Sequence, residues 1–366
     1  MKTFFIFLLK ELFFHTFLFL LFFLVLLTLI MGTLNLRDVL EFNPSLLMIL
    51  GFYILTSLQL LSFLLSLSSF NSVLFTLQRL KEERELLALF SLGYTIKDLI
   101  KPFLLFMIFI FLATLLSHVY LNPYAKRMMK EAQIKLAKAF FEKPIPSKTP
   151  VPLTNTFYLY VAESEKTDSS NIMKRVILLE RKSSKERGIY LAKAATLDLE
   201  KGIFYLSDGI VFTHSNYKEI NILKFKEYLF KISKEYLKKP DLYVKRGEMS
   251  FFELKKTIKA LIPGSEKYYR YLSEYYQRIF YGFSIFPLLL QAFILGLVIK
   301  PQSRYLLLLM GLTFYLFFYF VYNFFVSLGE SGKIYPLFSH IYFNGLLIFL
   351  LAVEFAFIRK RGISFS

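Results

Sequence analysis

The sequence predicts a membrane α-helical bundle of six transmembrane helices with an inserted all-β, jellyroll-like domain outside the cytoplasm. Three observations predict it. Six apolar runs of membrane-spanning length are grouped three and three along the chain. The stretch between the groups, 122–269, holds no such run and carries short alternating segments instead. Basic residues in the short loops fall mostly on one side of the bilayer. Composition agrees: 55% hydrophobic and 19% aromatic residues, with mean hydropathy +0.49, belong to a polytopic membrane protein.

The first division is 1–121. Its first span is Leu12–Leu34, with His15 as the strongly polar interruption. The run is too long for a signal peptide and lacks a small-residue cleavage site, so a retained span is expected. The second span, Leu46–Leu77, has no charge over about 32 residues, so as a helix of ~48 Å it must tilt or project beyond a ~30 Å hydrocarbon core. Gln59, Ser62, Ser66 and Ser69 share one face, a spacing that points to close helix packing before a substrate path. The third span is Pro102–Leu121.

Between spans two and three lies the charged amphipathic segment RLKEERELLALFSLGYTIKDLIK, residues 79–101. Leu86, Leu89 and Phe90 gather on one face of a short helix over 79–92, while Arg79, Glu85 and their charged neighbours crowd the preceding turns. Gly93 is a natural C-terminal stop. Thr95 with Asp98 forms a capping box opening the next helix. Such a helix, lying across the base of the bundle, passes to the spans any push a partner applies to it. A plain solvated loop is the competing reading.

The second division, 122–269, carries about thirty basic and about seventeen acidic residues. A helix over Tyr124–Glu142 is broken by prolines 144, 146, 150 and 152. Seven short strands follow, at Phe157–Val161, Val176–Leu179, Ile189–Leu191, Ile203–Leu206, Ile210–Phe212, Ile220–Ile222 and Tyr228–Ile232. Ser207-Asp208-Gly209 reads as a hairpin between two of them. The strands suggest a sandwich or open jellyroll. Ser250 caps a helix from Phe251 to Leu261, closed by Pro263-Gly264.

The third division, 270–366, supplies spans Ile279–Ile299, Tyr305–Leu328 and Pro336–Ile358. With a cytoplasmic N-terminus, the inside segments hold Lys2, Lys10, the 79–101 loop, Lys300, Arg304 and Arg359–Arg361, and the short outside loops only Arg37 and Lys333. Both termini are then cytoplasmic and the large domain outside.

Much chemistry is missing. The chain has no Cys, which excludes disulfides, thiolate metal sites and cysteine nucleophiles. The four histidines, 15, 118, 214 and 340, show no ligand spacing, so no metal is expected. Gly329 through Lys333 only resembles a fragment of a phosphate-binding loop. The net charge of +18 suits an anionic membrane or lipid better than nucleic acid. Glu354 stands about one turn from Arg359, as a structural pair. Glu274 and Arg278, at i and i+4 ahead of span four, are either a helix pair or, with Arg37, candidates for an anionic lipid headgroup. No cofactor is expected in this chain, and the energy for any work comes from a partner or a gradient.

In this order the pieces resemble a family. Three spans, an extracytoplasmic β domain and three spans, with Arg79-Leu80, Glu85 to Leu89 and Ser91-Leu92-Gly93, are similar to the permeases of the lipopolysaccharide exporter, the LptF/LptG type. The segment GIYLAKAATLDLEKGIFYLSDG (188–209) matches the family's β-domain pattern. Tyr271, Glu274, Arg278, Gly296, Gly311, Tyr315, Gly329, Gly332, Pro336 and Asn344 match its last half. The chain departs where the family tends to carry a Pro early in span four: Gly282 stands there and Pro287 follows. It also lacks lysines on the first span.

The resemblance implies a transporter permease subunit in a bacterial inner membrane, not an enzyme. The implied partners are a cytoplasmic ABC ATPase dimer holding ATP and Mg, a second six-helix permease, a periplasmic jellyroll bridge, and lipopolysaccharide. It also implies that the helix carrying Arg79, Glu85, Leu86, Leu89, Phe90 and Gly93 couples to that ATPase. Two other classes stay open at this stage. A lipid-modifying enzyme or glycosyltransferase would have to use Asp38 and Glu41, and a sensor or scaffold would use the β domain only to bind a partner.

Overall fold

The computed structural model describes residues 2–40, 44–142, 148, 150–154, 157–167, 170–181, 186–198, 203–215, 219–231, 244–300 and 303–361. Contacts divide the chain into two compact units, one of 1–33, 51–128 and 245–366, the other of 34–50 and 129–244. The breaks at 33/34, 50/51 and 128/129 fall inside helices, and the one at 244/245 lies in irregular backbone just ahead of 246–248, where the sequence had suggested 121/122 and 269/270.

Among the described residues, six helical runs are long and apolar enough to cross a membrane. They are built from α1 (Lys2–Leu40), α2 (Leu46–Glu82), α4 (Ile96–Leu116) running on into α5 (Asn122–Glu142), α7 (Glu266–Phe283) followed by α8 (Ile285–Val298), α9 (Arg304–Glu330) and α10 (Pro336–Arg361). The short α3 (Glu85–Ser91) lies between α2 and α4, and α6 (Phe251–Ala260) precedes α7. Span three does not stop at Leu121: a π-helical turn, Ser117–Leu121, carries it into α5. The widened turn accommodates Pro123, which has no N–H to give and needs room around its ring. Asn122 Nδ2 donates to the Gln59 carbonyl at 3.0 Å, fixing that turn to α2.

In the first unit one apolar core draws on α1 to α4 and α7 to α10, with Phe70, Phe103, Phe106 and Leu289 fully enclosed. The serine face of α2 is packed inside, as expected: Ser62, Ser66 and Ser69 are all buried. Small side chains let helices close without leaving polar groups unpaired. Ser72 Oγ donates to the Leu12 carbonyl at 2.7 Å, and His15 Nδ1 lies 2.9 Å from Thr76 Oγ1. Two glycines, one on α8 and one on α9, let those helices approach α2 closely. A Cβ at Gly296 would sit 2.7 Å from Leu77, and one at Gly311 would sit 2.3 Å from the Asn71 side-chain oxygen.

In the second unit one antiparallel sheet follows chain order: β1 (Pro150–Thr154), β2 (Phe157–Thr167), β3 (Ser170–Arg181), β4 (Glu186–Asp198), β5 (Ile203–Ser215) and β6 (Glu219–Lys231). The seven short strands of the sequence reading become six longer ones, two pairs of them merging. Ile203–Leu206 and Ile210–Phe212 are one strand, so Ser207-Asp208-Gly209 is no hairpin. Asp208 takes a left-handed φ of 49° inside β5, and pairing with β4 and β6 resumes beyond it. Similarly β6 joins Ile220 to Phe230, and β1 was not expected. Leu159, Val161, Val176, Leu178, Ala192, Phe204 and Leu206 are buried. Buried Glu180 accepts from the Tyr190 hydroxyl at 2.7 Å. Glu41, Pro144, Pro146 and Ile232 lie outside the described residues, as do the side chains of Arg37, Asp38, His214 and Arg359.

Candidate functional site at the elbow of α2 and α3

The single short helix expected over 79–92 is divided: 79–82 complete α2, and only Glu85–Ser91 form α3, because Arg84, with a left-handed φ of 56°, turns the chain between them. The far end of α3 closes on Gly93, φ 86°. The Tyr94 N–H donates to the Leu89 carbonyl at 3.1 Å and the Gly93 N–H to the Phe90 carbonyl at 3.0 Å. That pair of bonds is the Schellman stop, and a left-handed residue at this position is why glycine stands there. Asp98 then accepts from the backbone N–H of Thr95 at 3.2 Å and from its hydroxyl at 2.8 Å, opening α4. A seven-residue helix has little stability alone, so packing must hold it. Leu86 is buried and Phe90 packs on the same core, and Leu89 is half-buried beside them.

Arg79 ties the elbow together. Its guanidinium bonds both oxygens of Glu11 on α1, at 2.7 Å for Nη2 to Oε2, and reaches Glu83 and, at 3.2 Å, Glu85. A guanidinium carries five donors in a fixed fork, so it can bond both Glu11 oxygens and still reach Glu83 and Glu85, which the three donors of an ammonium cannot match. On the other side of the same turn, Lys81 is 5% exposed, and its Nζ donates to the carbonyls of Leu297 and Ile299 at 2.5 and 2.9 Å. Gln78 Nε2 also reaches Ile299 O, at 3.0 Å. These carbonyls are the orphan acceptors at the C-terminus of α8, where a cation is favoured. Sequence reasoning missed Lys81 because a lysine at a helix end normally reads as solvated; its spacing of two from Arg79, which sets it on a different face, was the available signal.

The opposite side of α3 is open: Leu87 is 53% and Leu92 75% exposed, with Ala88 and Ser91 exposed between them. The predicted residues therefore divide. Leu86, Leu89, Phe90 and Arg79 fix the helix in place, Gly93 ends it, Glu85 stands half-exposed at its edge, and the free apolar surface belongs to Leu87 and Leu92.

Arg278 does not face solvent. It is 1% exposed and donates to the carbonyls of Met249 at 2.6 Å and Arg246 at 3.0 Å, with Glu274 3.3 Å from Nε. The expected i, i+4 pair exists, but its guanidinium is consumed in holding the turn Arg246–Glu248 against α7, and burial leaves no approach for a phosphate. Deeper in the bundle, Ser66, Tyr281, Tyr315 and Tyr322 line a cavity of about 30 Å³, room for a water and not for a lipid. Among the described residues no His, Asp and Glu group could hold a metal ion.

The family model described as the lipopolysaccharide export system permease LptF/LptG matches residues 6–359. The chain belongs to the LptF/LptG family. It is a permease of the lipopolysaccharide export system, a transporter component and not an enzyme, and its six apolar spans place it as a multi-pass inner-membrane protein. Membership implies an ABC transporter complex with other components of that export system. No curated protein matches this permease.

Proposed function

We propose that this permease is one of two six-helix subunits of an inner-membrane ABC exporter that extracts lipopolysaccharide and passes it, by way of the β domain, to a periplasmic jellyroll bridge. The observation that carries the reading is the exposed apolar face of α3, Leu87 to Leu92, on a helix pinned by Arg79 at the end of α2. A cytoplasmic ATPase dimer, which binds the ATP and Mg, docks on this face, with Glu85 at its edge. Closure of the dimer pushes α3, and the push reaches α1 through Glu11 and α8 through Lys81. The loops' charge asymmetry supports cytoplasmic termini and a periplasmic β domain. Arg37, near the outer end of α1, stays a headgroup candidate; Arg278 does not. Lipid acyl chains meet the open Phe and Leu faces of the spans, in a chamber shared with the second permease.

Co-expression with the ATPase tests this. Leu87→Asp with Leu92→Asp should abolish copurification of the ATPase without altering folding, and Glu85→Lys should leave hydrolysis running while lipid release stops. Retention of the ATPase by the double variant, or normal release by Glu85→Lys, removes α3 from the mechanism.

A further inference from the structure

The sheet of the second unit has a crease. In every ladder from β2 to β6 one pair is skipped, and the skipped positions line up: Ala162, Arg175, Lys193, Asp208 and Lys226. Register is the same on both sides, so no residue is inserted. The strands break rhythm together, and Arg175 and Asp208 take left-handed φ values of 55° and 49°. Inward positions therefore step by three across the crease, from Met173 to Val176 and from Ala192 to Ala195, all buried. Two consecutive side chains then point outward, as Lys174-Arg175 and Lys193-Ala194 do.

Beside the crease, the outward face is apolar, which an antiparallel sheet with one solvated face does not require. One cross-strand row runs Tyr158, Leu179, Ile189, Phe212 and Ile222; the next runs Tyr160, Ile177, Leu191, Ile210 and ends on Lys224. Leu179, Ile189, Leu191 and Ile222 are exposed. With the inward face also apolar, this portion of the sheet shows greasy rows on both sides. Where the second row meets the crease there is a groove of about 780 Å³, with Arg175, Lys193 and Lys224 against a single acid, Asp208. Arg175 pairs with Glu163 across an exposed surface. Lys193 and Lys224 have no ion-pair partner among the described residues. Contiguous exposed apolar surface on a folded domain marks an interaction site, and clustered cations beside it select an anionic amphiphile.

We infer that this groove is a binding site for a phosphate-bearing glycolipid, with the phosphate at Lys193, Lys224 and Arg175 and acyl chains along the Leu191 and Ile189 rows. The inference rests on the export reading and puts the lipid on the outward side of the β domain, opposite the buried rows.

The test is photocrosslinking in the full complex, reconstituted in vesicles containing diphosphoryl lipid A, from a photoreactive residue at Leu191 and, separately, at inward-facing Val211. The site predicts a lipid adduct from Leu191 that falls about tenfold in Lys193→Glu with Lys224→Glu, the loss of at least one charge-assisted contact. Lys193→Arg with Lys224→Arg should restore it. Both lysines are exposed, so these variants leave the fold intact. Fully dephosphorylated lipid A should give only the low level. An adduct indifferent to phosphate or to the lysine changes overturns the inference, as does a protein adduct at Leu191. Lipid captured from Val211 alone also overturns it while leaving the export reading standing. Capture from neither position, in a preparation that also fails to retain an ATPase, overturns both.

Discussion

Lys81 Nζ lies 2.5 Å from the Leu297 carbonyl, so a cation at the end of α2 caps the C-terminus of α8, more than two hundred residues further along the chain. Leu77 fills the groove over Gly296 one turn earlier on α2, and a Cβ there would clash at 2.7 Å. The last turn of α2 thus cannot move without moving α8, and the two halves of the bundle are joined beside the elbow.

Lys81→Met keeps the aliphatic stem and removes the donor. Leu297 O and Ile299 O lose a charge-assisted partner in a buried place, at a cost of about 1–3 kcal/mol. The expected result is a lower melting temperature for the purified permease and, in the assembled exporter, ATP hydrolysis that persists while lipid release falls. Release that follows hydrolysis as closely as in the unaltered protein would show that α8 receives its push elsewhere.

Arg79→Ala leaves Glu11, Glu83 and Glu85 facing one another without their cation. Glu11 is the most enclosed of the three, so the loss is larger than for a surface pair, about 1–3 kcal/mol after discounting for partial exposure. Hydrogen exchange should rise in 85–93 ahead of the rest of the bundle. Arg79→Lys should restore only part of the protection, because an ammonium with three donors cannot keep the two-pronged bond to Glu11 together with the contacts to Glu83 and Glu85.

Much of this elbow was legible in sequence. Leu86, Leu89 and Phe90 at helical spacing, Gly93 as the stop and the Thr95 to Asp98 cap all depend on local rules, and the structure follows them. The Glu274 to Arg278 pair was equally visible, yet its meaning changed. Spacing along one helix says nothing of the Met249 and Arg246 carbonyls that another segment brings to the guanidinium. The crease was misread for a related reason. Ser207-Asp208-Gly209 carries turn-type residues, and only the parallel breaks in neighbouring strands, at Lys174-Arg175 and Lys193-Ala194, distinguish a kink shared by a sheet from a hairpin.

The Tyr190 hydroxyl donates to buried Glu180, and burial, then the neighbouring carboxylate, push the phenol well above its usual range. The neutral phenol is the form favoured by folding. Its contribution is complete below the unfolded value near 10 and is lost as pH rises through the folded value. Denaturation of the full-length permease between about pH 9 and 11 should show stability of the β domain falling more steeply with pH than in Tyr190→Phe. At neutral pH that variant should be less stable by about 1–3 kcal/mol, for the donor it takes from a buried acceptor. Equal pH slopes for the two proteins would mean that the phenol titrates normally.

Gly209 sits at the fold of the crease, and its place is set by contact. A Cβ there would meet the Leu191 carbonyl at 2.2 Å and the Phe225 ring at 2.3 Å. Phe225 could swing aside, but the carbonyl belongs to the backbone of β4 and is fixed by its ladder, so Gly209→Ala must spread β4 from β5. Overpacking of this kind costs about 1–3 kcal/mol, and Phe225→Ala, which relieves only the ring, should recover little of it. Because the same movement opens the groove beside Leu191, Gly209→Ala should also weaken lipid capture there while leaving the α3 face, and ATPase retention through it, as they were. Comparing the melting transition and the Leu191 adduct in Gly209→Ala, Phe225→Ala and the double variant decides it. Full rescue by Phe225→Ala would show that the ring, and not the strand backbone, sets the limit at this position.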